Sequence, residues 1–382
     1  MKTLPSPCFV CEEQLLQNNL ELLKSIEDAT GATILLALKG FALFSTFDLC
    51  KRYLKGCCAS GLHEAKLAHE EFGGQVHTYS PAFKPNEFDE IVNISDHIVF
   101  NSFTQLQTFQ HQTKPNNSLG LRINPQYSSV EVDIYNPCAS YSRLGITHKE
   151  FKDTLEKKPE LLNNIEGFHF HALCEQNVDA LQGVLQNFEK DFSPYFQNLK
   201  WVNFGGGHHI TREDYDVQGL ITLLNNFKQR HPHLHIYIEP GEAIGWQTGY
   251  LHTTVLDIVH NEMDIAILDT SAEAHMPDTL AMPYTPEVRN AQIINHKSYT
   301  TKNHYRLAGN TCLAGDIIGD YSFSQPLNIG DKIILEDMIH YTMVKTTTFN
   351  GINLPSIVLK KKDGSFELIK EFGYEEYKNR LS

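Results

Sequence analysis

Five short stretches of this sequence carry residue types that can do chemistry. Lys39 closes the apolar run Leu36-Ala37-Leu38 and is followed by Gly40 and Phe41. An amine at the end of a buried strand loses hydration, which lowers its basicity and makes it a nucleophile. The ordinary alternative is a lysine whose stem snorkels to solvent. Gly205-Gly206-Gly207 follows Val202-Asn203-Phe204. Consecutive glycines let backbone N–H groups close on an anion such as a phosphate, although a tight turn uses the same residues. Glu239 opens Glu239-Pro240-Gly241-Glu242. A carboxylate there can keep a cofactor's ring nitrogen protonated, or can simply end a strand at a Pro-Gly turn. His169 and His171 alternate in Gly167-Phe168-His169-Phe170-His171. They can stack on a flat ring, begin a metal site, or rest satisfied in a core. Cys312 stands in Gly309-Asn310-Thr311-Cys312-Leu313-Ala314-Gly315-Asp316. It can serve as an acid–base thiol or be an inert buried one.

The elements that must position these residues alternate along the chain. Apolar strand-like runs at 33–38, 56–59, 75–79, 96–100, 118–123, 165–171, 199–204 and 234–238 end in polar or glycine-rich corners. Helical patterns lie between them, among them 62–72, 151–162, 178–192 and 217–230. In the last, Leu220, Leu223, Leu224 and Phe227 share one face. Eight such units predict an α/β fold, a (β/α)8 TIM-like barrel, with an open doubly wound sheet as the alternative. A barrel gathers its chemistry at the C-terminal strand ends. These ends carry Lys39, Ser60, Ser80, Asn101, Arg122, His171, the glycine run and Glu239. Past about residue 250 short strands follow without helices, at 251–259, 265–268, 332–335, 342–347 and 357–360. The expected division is a barrel over 12–248 and a second all-β domain from 1–11 and 249–382.

With 41% hydrophobic and 20% charged residues, the 382-residue chain has ordinary globular composition. A net charge of −14 argues against nucleic-acid binding, because phosphates require a basic patch. No run of about 18 apolar residues predicts a membrane span, and the N-terminus lacks a secretory h-region. The eight cysteines are therefore expected as thiols in the cytoplasm. Cys8-x-x-Cys11 has no second pair at zinc spacing, so no metal is expected.

Taken in order, these pieces resemble the fold-type III pyridoxal-phosphate decarboxylases, the group of the ornithine, arginine and diaminopimelate enzymes. The likeness covers nearly the whole chain. Ala37-Leu38-Lys39-Gly40-Phe41, Gly167 to Glu175, Glu239 to Ala243, Gly309 to Asp316 and Thr348-Phe349-Asn350-Gly351 are most similar to members acting on carboxylated polyamines. The resemblance implies that Lys39 holds pyridoxal 5'-phosphate as a Schiff base and that His171 stacks on its ring. It implies that Gly205, Gly206, Gly207 and Tyr341 serve the phosphate and that Glu239 meets the ring nitrogen. It further implies a homodimer with shared active sites. Cys312 would enter the partner's site, and Arg143 would pair with Asp316 across the interface.

Three departures bear on the substrate. Glu242 replaces the arginine that most relatives place after Glu-Pro-Gly, Cys174 stands where many have serine, and Leu313 replaces the acid that many have after the cysteine. The expected reaction is decarboxylation of a carboxylated triamine. Its amines are cationic near neutral pH and would meet Glu242, Asp269, Asp278 or Glu273. Cys312 would return a proton to the α-carbon and also touch substrate. Diaminopimelate or another basic amino acid is the alternative substrate. An alanine-type racemase lacks its tyrosine base here, and a non-catalytic carrier would lack the β domain.

Overall fold

The computed structural model of the chain describes residues 4–294 and 303–382; Met1–Thr3, at the start of the expected β domain, lie outside the described residues. The chain forms two compact units. One is Asn19–Ile244, and the other joins the stretch up to Asn18 with Gly245–Ser382. The first crossing therefore falls inside the helix Glu13–Thr30.

In the unit Asn19–Ile244, parallel strands form a nearly closed ring. Leu36–Ala37, Gly56–Ala59, Gln75–Tyr79, His97–Phe100, Ser118–Asn124, Gly167–His169, Trp201–Asn203 and His235–Ile238 pair in sequence order, and Thr33–Ile34 pairs with the last of them. Leu35 breaks the first strand position, so its two halves face different neighbours. The ladder still continues across the break: Leu35 N–H donates to Ile238 O (2.9 Å) and Leu38 N–H to Cys58 O (3.2 Å). This closure selects the barrel over the open sheet, which would leave one half of that strand unpaired. The short strand Ile146–Thr147 pairs with Ser118–Asn124 beside the ring.

The helices Val178–Phe192 and Val217–Arg230 match their periodicity, and the latter buries Leu220, Leu224 and Phe227. The expected helix over 151–162 is instead His148–Leu155 followed by a 3-10 turn, Pro159–Leu162. Pro159 has no N–H to continue the first helix. Inside the barrel, Trp201 fills space left by two glycines. A Cβ on Gly167 would lie 2.0 Å from the indole, and one on Gly120 2.4 Å from it. The indole Nε1–H then donates to Ser118 Oγ at 2.8 Å, reaching across the intervening strand Gly167–His169 to tie Trp201–Asn203 to Ser118–Asn124.

Among the described residues, the other unit is a nine-stranded sheet. Gly249–Asn261 is its spine. The strand's first half pairs with Cys8–Glu12 and Lys332–Glu336, and its second half, past a bulge at Val255/Asp257, with Met263–Leu268. Cys8–Glu12 also pairs with Ser356–Lys360, which anchors the N-terminal strand in this sheet. Four strands were not foreseen: Ala291–Ile293, His304–Ala308, Ile317–Phe323 and Phe366–Lys370. One expected strand, 342–347, is corrected to the short helix Tyr341–Val344, with Thr342 its buried residue. No helix among the described residues is long and apolar enough to cross a membrane. All eight cysteines are free thiols.

Candidate active site

Lys39 leaves the first barrel strand in a tight turn, with Gly40 N–H and Phe41 N–H both donating to Ala37 O. Only glycine fits at position 40, since a Cβ there would lie 2.8 Å from Glu242 N and 2.9 Å from Gly241 Cα. That close approach fixes Lys39 beside the end of the last strand. The Lys39 side chain reaches solvent yet stands in a well of protein atoms, so its amine is accessible but poorly hydrated. Burial lowers its pKa; Arg122 adds to this, while Cys58 and Glu239 oppose it.

Glu239 has a polar neighbour at each oxygen, a hydrogen bond at one and a longer approach at the other. Asn203 Nδ2 donates to Oε1 at 2.6 Å, and His169 Nε2 lies 3.4 Å from Oε2. Burial alone would raise the carboxyl pKa. His169, the Asn203 hydrogen bond and Lys39 outweigh it and hold the group below the usual range. His171 Nδ1 accepts from Gly206 N–H at 2.9 Å, which leaves the ring proton on Nε2 and fixes the ring plane. Burial first, then the Lys39 and Arg122 charges, push the His171 pKa well down, so its imidazole is neutral. Arg122 braces this wall. It donates to His171 O at 3.3 Å and lies over the Tyr79 ring at 4.6 Å, and Tyr79 OH donates to Asn101 Oδ1.

The glycine run packs backbone on backbone. A Cβ would meet Phe170 O at 2.4 Å on Gly205, Glu239 O at 2.3 Å on Gly206, and Leu173 O at 2.2 Å on Gly207. Gly205 and Gly207 also take φ of +67° and +86°. Two of the three amides are already engaged, Gly205 N–H with Asn203 Oδ1 and Gly206 N–H with His171 Nδ1. Among the described residues the Gly207 amide, unlike these two, makes no such hydrogen bond. Beside this corner Glu242 Oε2 lies 3.2 Å from His209 Nε2. Arg212 approaches the other ring nitrogen at 3.4 Å, and exposed Glu175 completes a cluster with ligand atoms within 4.8 Å of one another.

The second unit holds the remaining predicted residues. Cys312 is exposed, and its N–H donates to Asn350 Oδ1 at 2.7 Å, so two late motifs meet. Asp316 is buried and accepts from Ala272 N–H (2.7 Å), Thr311 Oγ1–H (2.6 Å), Thr311 N–H (3.2 Å) and Glu273 N–H (3.4 Å). Asp269 accepts from Thr253 Oγ1–H and Thr254 N–H. Asp278 pairs with Lys345, whose ammonium also lies over the Tyr341 ring at 5.4 Å. Arg143, on the barrel unit, is exposed, and its carbonyl accepts from Asn101 Nδ2.

The barrel mouth thus brings together Lys39, His171, Glu239 and the glycine run. Asn203, His209 and Glu175 were not singled out from sequence, and Arg122 was read only as a strand-end residue without a role. Asn203 had one signal: it is the polar residue of an apolar strand, two positions before the glycines.

These side chains suit a planar cofactor bound through an amine, with a phosphate at one corner and a ring nitrogen at the other. The family model for the pyridoxal-dependent decarboxylase with a C-terminal sheet domain matches residues 8–339, and the chain belongs to that family. It is 51% identical to the carboxynorspermidine/carboxyspermidine decarboxylase of Campylobacter jejuni, over 99% of this chain and 98% of that protein. It is 48% identical to the carboxyaminopropylagmatine decarboxylase of Synechocystis, over 100% and 96%. The crystal structure of the Campylobacter jejuni carboxynorspermidine decarboxylase complexed with norspermidine superposes with a TM-score of 0.91, at 50% identity and full coverage of both chains.

Proposed function

We propose that this chain decarboxylates carboxynorspermidine and carboxyspermidine, forming norspermidine and spermidine in polyamine biosynthesis. The observation that carries the reading is the full-length likeness to the Campylobacter jejuni enzyme, with the barrel-mouth residues in keeping. The Synechocystis relative favours a second substrate of the same class, carboxyaminopropylagmatine. CO2 release from purified protein with added pyridoxal phosphate tests both. Turnover of a carboxylated polyamine is expected, and turnover of diaminopimelate alone would overturn the proposal.

Pyridoxal phosphate, when bound, supplies an electron-poor ring that accepts the electron pair released with CO2. The residues present fit it. Lys39 offers a weakly basic, reachable amine for covalent attachment. His171, neutral and pinned by Gly206, offers a flat face that limits ring motion. Glu239, held ionised by His169 and Asn203, keeps a proton on the ring nitrogen. Gly207 N–H serves the phosphate. Cys312 delivers the proton that replaces the lost carboxylate, entering from a second copy of the chain in a homodimer. Its exposure supports that role. Activity regained on mixing Lys39→Ala with Cys312→Ala subunits is the expected sign of such sharing; none after proven subunit exchange would refute it. Glu242, which lies against His209 with the second acid Glu175 close by, is the acid we assign to a substrate amine. Asp269 and Asp278 bind substrate only by giving up the partners described above.

A further inference from the structure

We propose that His169 is a positioning residue for the decarboxylation: together with Asn203 it clamps the two oxygens of Glu239 so that this carboxylate stays ionised and aimed at the cofactor's ring nitrogen. The inference rests on the role given to Glu239 above. Asn203 takes Oε1 at 2.6 Å, and its own Oδ1 is held by Gly205 N–H. His169 Nε2 stands 3.4 Å from Oε2. The His169 side chain is 4% exposed, and neither ring nitrogen makes a hydrogen bond of ordinary geometry, so the 3.4 Å approach to Glu239 is the closest polar contact of Nε2 that the structure gives. A buried imidazole without a partner is costly, and of the polar groups around it Glu239 is the one that can accept from its N–H. His169 and Asn203 pair in register on adjacent strands, so the two grips are built into the barrel wall rather than a loop. The Tyr79 ring, 5.5 Å from His169, packs against its other side. Burial first, opposed by Glu239, lowers the His169 pKa. The ring is then neutral, with Nε2 3.4 Å from an ionised carboxylate to which it can donate, rather than one half of an ion pair.

Other charged or titratable groups face this pair. Lys39 and Arg122 act on His169, and Cys58 and His97 face Glu239. Their contributions remain when His169 is changed, so a pH profile isolates the His169 effect. In the holoenzyme, His169→Phe should lower kcat about 10- to 150-fold, the range for one charged hydrogen bond, with KM for the carboxylated triamine nearly unchanged. The acid limb of kcat should move to higher pH. Infrared difference spectra should gain the C=O stretch of a neutral carboxyl, which disappears in His169→Phe/Glu239→Gln. His169→Gln, which keeps an N–H donor, should recover much of kcat and the original pH limb. If His169→Phe does not fold, the same carboxyl band and pH shift are read in Asn203→Ser and compared with His169→Gln. Wild-type kcat, limb and spectrum in a folded His169→Phe would overturn the inference. Glu239→Gln leaving kcat and cofactor absorbance unchanged would instead overturn the role of Glu239. A large Glu239→Gln effect with no His169→Phe effect would refute the clamp alone.

Discussion

Replacing Asp316 tests whether this buried carboxylate latches the loop that carries Cys312. Four donors converge on it, and two bonds are short, from Ala272 N–H at 2.7 Å and Thr311 Oγ1–H at 2.6 Å. Gly309 leaves the space that the carboxylate occupies, since a Cβ there would lie 2.3 Å from Asp316 Oδ2. Asp316→Ala strands the Ala272 N–H, which is fully buried, at a cost of about 1–3 kcal/mol for an unsatisfied donor. The Thr311 groups are half-buried and regain water, so their loss adds only about 0.5–1.5 kcal/mol. Together the loss is about 1.5–4.5 kcal/mol, a large part of ordinary domain stability. Asp316→Asn is milder. Its Oδ1 keeps Ala272, and the Thr311 hydroxyl can rotate to accept from the new amide, leaving only the Thr311 N–H opposed, at about 1 kcal/mol. Urea unfolding followed by sheet-unit signals measures both, and amide exchange at Ala272 reads the latch locally. Asp316→Ala within 0.5 kcal/mol of wild type, with Ala272 exchange unchanged, would refute the latch. If Asp316→Asn instead leaves stability intact but makes dimer dissociation concentration-dependent, the pairing with Arg143 across subunits is its role.

Lys39→Ala should abolish activity and the visible absorbance of bound cofactor; an unchanged spectrum would place the attachment elsewhere. Gly207→Ala must take φ of +86° and drive a Cβ to 2.2 Å from Leu173 O, so a loss of about 2–4 kcal/mol and weakened cofactor binding are expected by denaturation and titration. His208 and His275 are buried with pKa values pushed down to about 4, so the unfolded chain takes up their protons first as pH falls. Their stabilisation is full above about pH 6.5 and is lost down to pH 4, about 3 kcal/mol each, and a urea midpoint flat from pH 7 to 4.5 would contradict it. Glu242→Gln should cut kcat/KM for the carboxylated triamine about 10- to 150-fold with cofactor affinity held, whereas lost cofactor binding with turnover intact would assign Glu242 to the cofactor corner.

Much of the site was legible because it is written in local pattern. An apolar run leading to Lys39, a strand that stops at His169 two residues before His171, three glycines and Glu-Pro-Gly each announce a strand end within a few residues. A parallel barrel collects strand ends on one face whatever its loops do. The helices Val178–Phe192 and Val217–Arg230 were equally clear, since 3.6-residue periodicity is a property of the segment alone. Partner choice was not legible. That Glu239 meets Asn203 and His169, that Glu242 meets His209, and that Asp316 turns inward to Ala272 and Thr311 depends on register between strands and on contacts across loops. The split at Leu35 that closes the ring, and the helix at Tyr341–Val344 in place of a strand, have the same origin. Short apolar segments suit either conformation, and tertiary packing decides between them.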